Sequence, residues 1–482
     1  MQFHSRRVVS AEEMVALDRF TIDDFGLGED VLMESAGRCV GTIVSDSFPA
    51  KAEVIILFGP GHNGADALVA ARYLHEQGRQ VKACCPFDEH QLSPACRRQL
   101  LRCQQVGIDV LLSEVRAPSQ FKIQPDAIYI DGLFGTGLKR PVCGQAGAWI
   151  ETLRDAHAKV VSIDIPSGVC ATSGAIMGTA VDAAVTVTFQ HSKIGHWIFP
   201  GAGLRGDLRV VDIGIPSISL DRVGVVKRRI ASRSVLSSRL PNRPRNGHKG
   251  TFGHVAVLGG HQGMTGAAKL AGRTVLRTGA GKATLLCEPA MVERLACELE
   301  VLMCGSARCL TRDDTTEGSK PELFDHFDAL VIGPGLDCER VSADLSQAIL
   351  APCPRVIDAG AITWLAKSSL ADLGPECVLT PHPAEAARLL RCSVQTVQSD
   401  RFDAVRRLTD RFGCVVVLKG AYTLIGKPDG ETVICPFGNS GLGTAGSGDV
   451  LGGIIAGLLA QGMPAFEASE VGVIWHALAG ER

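Results

Sequence analysis

Aromatic side chains make up only 5% of this 482-residue chain, and no apolar run approaches the ~18 residues that a membrane-crossing helix needs. An integral helical membrane protein is therefore not expected. Strong charge of either sign is missing too: 49 Lys and Arg stand against 51 Asp and Glu, a formal balance of −2. That balance offers no electrostatic footprint for nucleic acid or an anionic membrane surface. The 17 cysteines lie scattered in apolar runs without a CxxC pair or a Cys/His grid, so they read as reduced thiols of a soluble, cytoplasmic protein rather than a zinc or disulfide framework. Arg6 and Arg7 are followed by Glu12 and Glu13 instead of an apolar stretch, which argues against a signal peptide.

What is abundant is glycine, 54 residues, at the ends of short Val/Ile/Leu runs. This pattern predicts an α/β protein whose backbone loops bind small molecules. The length predicts two domains. One stretch organises the chain. Gly438 to Asp449, GNSGLGTAGSGD, runs into the apolar, helix-compatible segment Val450 to Leu459. Glycines allow close backbone approach to a phosphate, and a helix start adds about half a positive charge, so the stretch reads as an anion cradle. Asp449 at its mouth is either a helix-start dipole partner or a catalytic base.

In the first half, Ser10 to Val44 reads as two amphipathic helices divided by a Gly-containing turn. Lys51 to Gly59 is a buried strand, followed by the loop GPGHNGADA, a helix ending at Gly78 and the strand QVKACCP. Its spacing is not GxGxxG with a ribose-binding acid, so an ordinary dinucleotide fold is not indicated. Two more strands end alike: DAIYID runs into GLFGTGLKRP, and KVVSID into IPSG. Asn63, Asp66, Asp131, Asp164 and Ser167 would converge on one carboxyl edge of a parallel sheet. Taken singly, Asp164 before a proline is a turn former as readily as a catalyst.

The set GPGHNGADALVAAR, DGLFGTGLKRP and SIDIPSG closely resembles the epimerase half of the NAD(P)H-hydrate repair proteins, over about residues 1–216. The resemblance implies a potassium ion held by Asn63, Asp131 and Ser167. It implies nucleotide contacts from His62, Asn63, Gly64, Ala65 and Asp66, and from Gly135, Thr136, Gly137, Leu138, Lys139, Arg140 and Pro141. Asp164 would contact the hydrate ring as acid/base. The family's usual loop is NNGGDG, whereas this chain has His62, Ala65 and Ala67 in place of Asn, Gly and Gly. Where such a glycine has φ > 0, alanine costs on the order of 1 kcal/mol and tilts the loop.

Ser217 to Leu240 lacks periodicity, and residues 217–239 read as a linker to a second domain, 240–482. There, buried strands FDALVIGPG, RVIDAG, ECVLTPHP and CVVVLKG follow one another with helical patterns between them, and His254 reads as structural. The ordered motifs GHKGTFGHVAVLGG, GPGL, TPHPAE, LKGAYT and NSGLGTAGSGDVL resemble the ADP-dependent NAD(P)H-hydrate dehydratase domain of the ribokinase-like superfamily. The expected architecture is two doubly wound parallel-sheet α/β domains, Rossmann-like then ribokinase-like. The resemblance implies ADP contacts from Lys419, Gly420, Ala421, Tyr422 and Thr423. It adds Asn439, Ser440, Gly441, Leu442, Gly443, Thr444, Ala445, Gly446, Ser447 and Gly448. Ala267, Gly335, His382 and Asp449 would face the hydrated nicotinamide, with Asp449 catalytic. Ala384 stands where the family usually has Gly.

The two resemblances together imply repair of NADH hydrate and NADPH hydrate: epimerisation by the first domain, then ADP-dependent dehydration by the second to NAD(P)H, AMP and phosphate. Magnesium would accompany the phosphate chemistry, although no motif supplies its ligands. The expected partners are the small molecules and further copies of the chain in a homo-oligomer. A ribokinase-class small-molecule kinase with a non-catalytic nucleotide-binding first domain is the alternative. The family also continues past the His476 to Gly480 segment with a further helix, so apolar surface is expected on the helix preceding Arg482.

Overall fold

A computed structural model describes residues 7–112, 123–298, 303–306, 324, 326–337 and 345–482. The chain forms two compact units, Met1–Val226 and Lys227–Arg482. The strands of unit 1 are β1 (Val8–Val9), β2 (Val54–Phe58), β3 (Val81–Cys84), β4 (Asp109–Leu111), β5 (Ile128–Gly132), β6 (Lys159–Ile163), β7 (Val185–Phe189), β8 (Ser192–Lys193) and β9 (Asp207–Val211). Between them run α1 (Ala11–Arg19), α2 (Glu29–Ser47), α3 (His62–Glu76), α4 (Pro94–Gln105), α5 (Gly144–Asp155), α6 (Gly201–Leu204) and α7 (Ile218–Val223).

Seven strands form a sheet in the order β4-β3-β2-β5-β6-β7-β9, every neighbouring pair parallel. A parallel sheet is covered on both faces, which is why β2 is apolar at every position. Its alternation sorts the faces: Ile56 and Phe58 join Val40, Val44, Leu68 and Leu74, whereas Ile55 and Leu57 join Tyr129, Trp149 and Ile150. The strand order reverses at β2, between β3 and β5, so the ligand crevice of this topology opens at the carboxyl ends of β2 and β5. Gly59 closes that point. A Cβ there would lie 1.8 Å from the Leu133 carbonyl oxygen, so only glycine lets the two strand ends meet.

Unit 2 contains β10 (Arg228–Ile230), β11 (His254–Leu258), β12 (Lys282–Cys287), β13 (Met303–Ser306), β14 (Ala329–Ile332), β15 (Arg355–Ile357), β16 (Cys377–Leu379), β17 (Val415–Leu418), β18 (Leu424–Gly426) and β19 (Thr432–Ile434). Its helices are α8 (Ser234–Arg239), α9 (Thr265–Thr278), α10 (Val292–Glu298), α11 (Leu345–Ile349), α12 (Ala359–Lys367), α13 (Pro383–Leu390), α14 (Val394–Ser399), α15 (Arg401–Phe412), α16 (Ser447–Leu459) and α17 (Ala465–Gly480). The sheet order is β10-β19-β18-β17-β16-β15-β14-β11-β12-β13. It is parallel except where β18 runs antiparallel to β17 and β19, a feature that the glycine-bounded apolar runs did not reveal. Here the order reverses at β11, between β12 and β14. Gly259 repeats the device of Gly59: a Cβ on it would lie 2.1 Å from the Pro334 carbonyl oxygen.

The expected linker, 217–239, is divided between the units. Leu220, Val223 and Val225 pack on the first core, while β10 pairs with β19 and Val235 joins the second core. Arg229 and Arg239 bind the fully buried Glu470 of α17 at 2.5 and 3.0 Å. Two guanidinium groups satisfy a carboxylate that would otherwise be costly to bury. Helix α17 does not present the expected apolar surface: Val471, Val473 and Ile474 are buried, and Phe466 and Trp475 are half-buried against the core.

Candidate active sites

In unit 1, α3 begins at His62, with Gly61 as its N-cap and no capping side chain. The segment expected as a loop is therefore the first turn of a helix. Ala65 and Ala67 have ordinary negative φ and are fully buried, so the expected cost of alanine at a left-handed position does not arise. The glycine with a steric role is Gly64, whose Cβ would lie 1.9 Å from the Gly59 carbonyl oxygen. His62 is exposed and pairs with Glu29 at 2.8 Å.

The three expected potassium ligands come together around the Phe134 peptide. Asn63 Nδ2 donates to the Phe134 carbonyl at 3.0 Å, and Ser167 Oγ lies 2.8 Å from the Phe134 N and 3.1 Å from its oxygen. Ser167 Oγ also donates to Asp131 Oδ1 at 2.5 Å, while Ser162 Oγ and the Ser167 N–H donate to Asp131 Oδ2 at 2.8 and 2.9 Å. Asp131 is fully buried, and burial lifts its pKa although these donors oppose the rise. Gly135 backs onto Asn63, 3.1 Å from the amide oxygen to a Cβ position, and Gly137 and Lys139 to Pro141 are exposed beyond it.

Asp164 follows β6 with φ +65, a strained conformation for a non-glycine residue. Its Oδ1 accepts from Lys193 Nζ at 2.5 Å and from Thr188 Oγ1 at 3.1 Å, which leaves Oδ2 for a ligand. Lys193 is fully buried and also reaches the Thr188 hydroxyl at 2.9 Å. His196 locks the backbone: its Nδ1 accepts from the Lys193 N–H at 2.9 Å, so the proton resides on Nε2, which donates to the Asp164 carbonyl at 3.0 Å. Burial, then Lys193, lowers His196 to about 3, which keeps it neutral. The sequence reading missed Lys193, Thr188 and His196. It also missed Asp18 of α1, which burial raises to about 6, against Lys193. Asp66 is raised well above the carboxylate range by burial and by Asp164, Asp18 and Glu29.

In unit 2, the glycine stretch forms an open cradle. Asn439 caps a short turn at Ser440–Leu442, its Oδ1 accepting from the Gly441 N–H at 2.9 Å. Residues Gly443 to Ala445 are exposed, and Gly446 at φ +89 starts α16 with Asp449 in its first turn. Gly438 N–H donates to Glu481 at 2.9 Å, and Ser447 Oγ bonds His476 Nε2 at 3.1 Å, so α17 steadies the cradle from behind. Burial and Asp358 raise Asp449 to about 6 against the opposing pull of Lys419. It is ionised near neutrality and able to take a proton.

Gly335, at φ +63, packs against the Met264 carbonyl next to the start of α9, where Ala267 lies half-buried in the first turn. His382 is the N-cap of α13. Its Nδ1 accepts from Ala384 N and Glu385 N at 3.1 and 3.4 Å, and Glu385 returns a carboxylate to the His382 N–H at 2.8 Å. The cap leaves Nε2 with its proton, and burial followed by Lys419 lowers the ring pKa. Ala384 sits in this cap with no positive φ. Burial raises Glu385 to about 7.

The wall Lys419 to Thr423 is a turn, with Gly420 at φ +137, Tyr422 at φ +53 and Thr423 Oγ1 donating to the Gly420 carbonyl at 2.9 Å. The Lys419 side chain turns inward to Asp358 at 2.8 Å. Arg401 holds the turn from beneath, donating to the carbonyls of Ala421, Leu418 and Lys419 at 2.5, 3.1 and 3.3 Å. Asp358 and Arg401 escaped the sequence reading. His254 is structural as expected, bonded to Thr284 Oγ1 at 2.8 Å and lowered by burial to about 4.

Family models match both halves: residues 29–195 match a YjeF-related protein N-terminus, and residues 255–482 match NAD(P)H-hydrate dehydratase. The chain is 37% identical to a bifunctional NAD(P)H-hydrate repair enzyme of Moorella thermoacetica, covering 98% of this chain and 92% of that protein. The corresponding enzyme of Coxiella burnetii is 35% identical, with 97% and 92% covered. A solved ADP/ATP-dependent NAD(P)H-hydrate dehydratase from Bacillus subtilis is 30% identical over 53% of this chain and 89% of that one, with a TM-score of 0.45.

Proposed function

This chain belongs to the bifunctional NAD(P)H-hydrate repair enzymes, and on that premise we propose how its two units share the work. Unit 1 interconverts the R and S epimers of NADH and NADPH hydrate. Unit 2 dehydrates the S epimer with ADP to give NAD(P)H, AMP and phosphate. The observation that carries this reading is Asp449, partly buried in the first turn of α16 behind an open glycine cradle.

In unit 2, the cradle N–H groups and the helix N-terminus receive the ADP phosphates. The hydroxyl of the hydrate attacks the terminal phosphorus while Asp449 accepts its proton, and the bond to AMP breaks. The ring nitrogen then expels phosphate, and loss of a proton from the adjacent ring carbon restores the double bond. His382, a fixed Nε2–H donor, and the Gly335 backbone face the nicotinamide, while Lys419 to Thr423 and Arg401 shape the nucleotide wall.

In unit 1, epimerisation at the carbon beside the ring nitrogen needs departure and return of the hydroxyl, with one proton carried. Asp164 Oδ2 would carry it, and the reading is supported by Lys193 and Thr188 holding the carboxylate through Oδ1. Asn63, Asp131, Ser167 and the Phe134 carbonyl carry one formal negative charge, and with the Asn63 amide, whose Nδ2 now donates to the Phe134 carbonyl, turned to offer Oδ1, these residues would hold potassium, a hard monovalent cation, by oxygen atoms. When bound, that ion supplies positive charge beside the nucleotide. Among the described residues no three His, Cys, Asp or Glu side chains form a metal site, so magnesium is assigned no protein ligands and no step.

Further copies of the chain in a cytoplasmic homo-oligomer complete the reading, which sedimentation of the purified protein tests. No helix among the described residues is long and apolar enough to cross a membrane. The deciding assay follows reduced-nicotinamide absorbance from each hydrate epimer, with ADP and with ATP. ADP-dependent recovery from both epimers is the expected result. No recovery, together with phosphorylation of a vitamin or sugar alcohol, overturns it in favour of a kinase.

A further inference from the structure

Asp358 is the single residue between β15 and α12 and is the N-cap of α12, yet its carboxylate makes no capping hydrogen bond. An aspartate at this position ordinarily accepts from the first-turn N–H groups. The next residue, Ala359, has φ +47, unfavourable for alanine. Gly333 permits the arrangement, since a Cβ there would lie 1.8 Å from the Asp358 carbonyl oxygen. Three local departures therefore serve one outcome, a buried carboxylate turned away from its own helix and 2.8 Å from Lys419 Nζ.

The pair lies against α16. A Cβ on Gly448 would be 3.3 Å from Lys419 Nζ and 3.7 Å from Asp358 Oδ2, and one on Gly452 would be 4.0 Å from Asp358 Oδ2. Glycines at both positions open the space beside Asp449. An ammonium under a helix N-terminus opposes the helix dipole, so its presence there needs anions around it. Burial disfavours the ammonium, but Asp358, Glu385 and Asp449 outweigh it and hold Lys419 above the ordinary lysine value.

We propose that Asp358 is a positioning residue of the dehydration site, holding the Lys419 ammonium beneath the first turn of α16 so that this pair governs proton acceptance by Asp449. The inference rests on the dehydratase reading and assigns it a residue beyond the phosphate cradle. Among the described residues, Asp358 after β15 and Lys419 after β17 are the charged groups that act on Asp449. Glu385 of α13 and its N-cap His382 act on the Lys419–Asp358 pair, and His476 of α17 bonds neighbouring Ser447. Where α9 meets α16 it presents Leu270, Ala271 and Thr274, and β14 presents Val331.

The pair acts on Asp449 with opposite signs. Asp358 disfavours its carboxylate and Lys419 favours it. The test is the pH profile of kcat and the KM for ADP in the full chain, for Asp358→Asn, Lys419→Met and Lys419→Arg. Asp358→Asn should move the acid limb down and Lys419→Met should move it up, each by about one pH unit. Lys419→Arg should keep the wild-type limb. Coincident limbs, shifts of the same sign, or changes confined to KM overturn the proposal, because a purely structural or ADP-binding role produces those results. Should Lys419→Met fail to fold by circular dichroism, Asp358→Asn decides alone: a limb that stays in place or rises is contrary. If the wild-type chain shows no ADP-dependent recovery, the dehydratase reading itself fails, a result distinct from active enzyme with unmoved limbs.

Discussion

Each unit places an aspartate and a lysine at the carboxyl edge of its sheet, and the two sites differ in which carboxylate the lysine binds. In unit 1, Lys193 bonds directly to Asp164 at 2.5 Å, with Lys193 fully buried. In unit 2, Lys419 bonds Asp358 at 2.8 Å, and Asp449 feels that ion pair without a direct bond to it. The first arrangement fixes a carboxylate in one orientation through Oδ1 and offers the other oxygen to substrate. The second leaves the candidate base at about 6, where a proton can be taken and returned near neutrality. A reversible exchange at one carbon suits a fixed acceptor. A phosphoryl transfer that must strip a hydroxyl proton suits a tunable one.

Breaking each aspartate in turn gives the largest expected effect. Asp449→Asn should lower ADP-dependent dehydration by about 10²–10⁴-fold while leaving epimer exchange intact, and Asp164→Asn should do the reverse. Separate assays of epimer exchange and dehydration check this, and cross-loss in either variant would erase the division between the units. The same assays sharpen it with pH. Dehydration requires ionised Asp449, so its kcat should fall as pH drops through about 6.

The direct pair in unit 1 predicts a stability effect next in size. Lys193→Met leaves the Asp164 carboxylate buried without its cation, at a cost of about 3–5 kcal/mol. Denaturant unfolding would show it in the transition of unit 1, and adding Asp164→Asn should recover part of the loss. Failure of the second change to help would mean that Lys193 acts through packing alone.

The switch points are where the two units agree. Gly59 would direct a Cβ to 1.8 Å from the Leu133 carbonyl, and Gly259 to 2.1 Å from the Pro334 carbonyl. Backbone atoms cannot step aside as a flexible side chain does, so Gly59→Ala and Gly259→Ala should each destabilise by about 2–3 kcal/mol and weaken only the reaction of the unit that carries them. Differential scanning calorimetry with both assays tests the pair.

Much of this was legible because parallel α/β sheets end their strands at the ligand edge. Short apolar runs closed by Gly or Asp located β2, β5, β6, β14 and β15, and with them Asp131, Asp164 and Ser167. The cradle and Asp449 were readable from a local glycine pattern. Lys193, Thr188 and Asp358 were not, since they meet Asp164 or Lys419 across separations of 29, 24 and 61 residues that carry no periodic signal. Segment 217–239 was misread because its short elements are held by partners such as Glu470, far along the chain. The start of α3 was hidden because Gly61 supplies no capping side chain.

That hidden start yields the smallest prediction and the sharpest test of the first-turn departures. Ala65 N–H donates to the Gly61 carbonyl at 3.2 Å, an ordinary helical bond, and Ala65 and Ala67 are fully buried at negative φ. Ala67 faces Gly132, on which a Cβ would come within 2.5 Å of the Ala67 methyl, so the alanine is fitted by a glycine across the strand end. The close approach that demands glycine is made by Gly64, which this chain retains. Returning Ala65→Gly and Ala67→Gly would therefore add backbone freedom to the unfolded chain and remove buried methyl groups without relieving strain. Each should cost about 0.5–1 kcal/mol in chemical denaturation and leave the rate of epimer exchange unchanged. A several-fold faster exchange in either variant would show that the alanines hold the nucleotide site back, and that unit 1 has drifted toward binding rather than turnover.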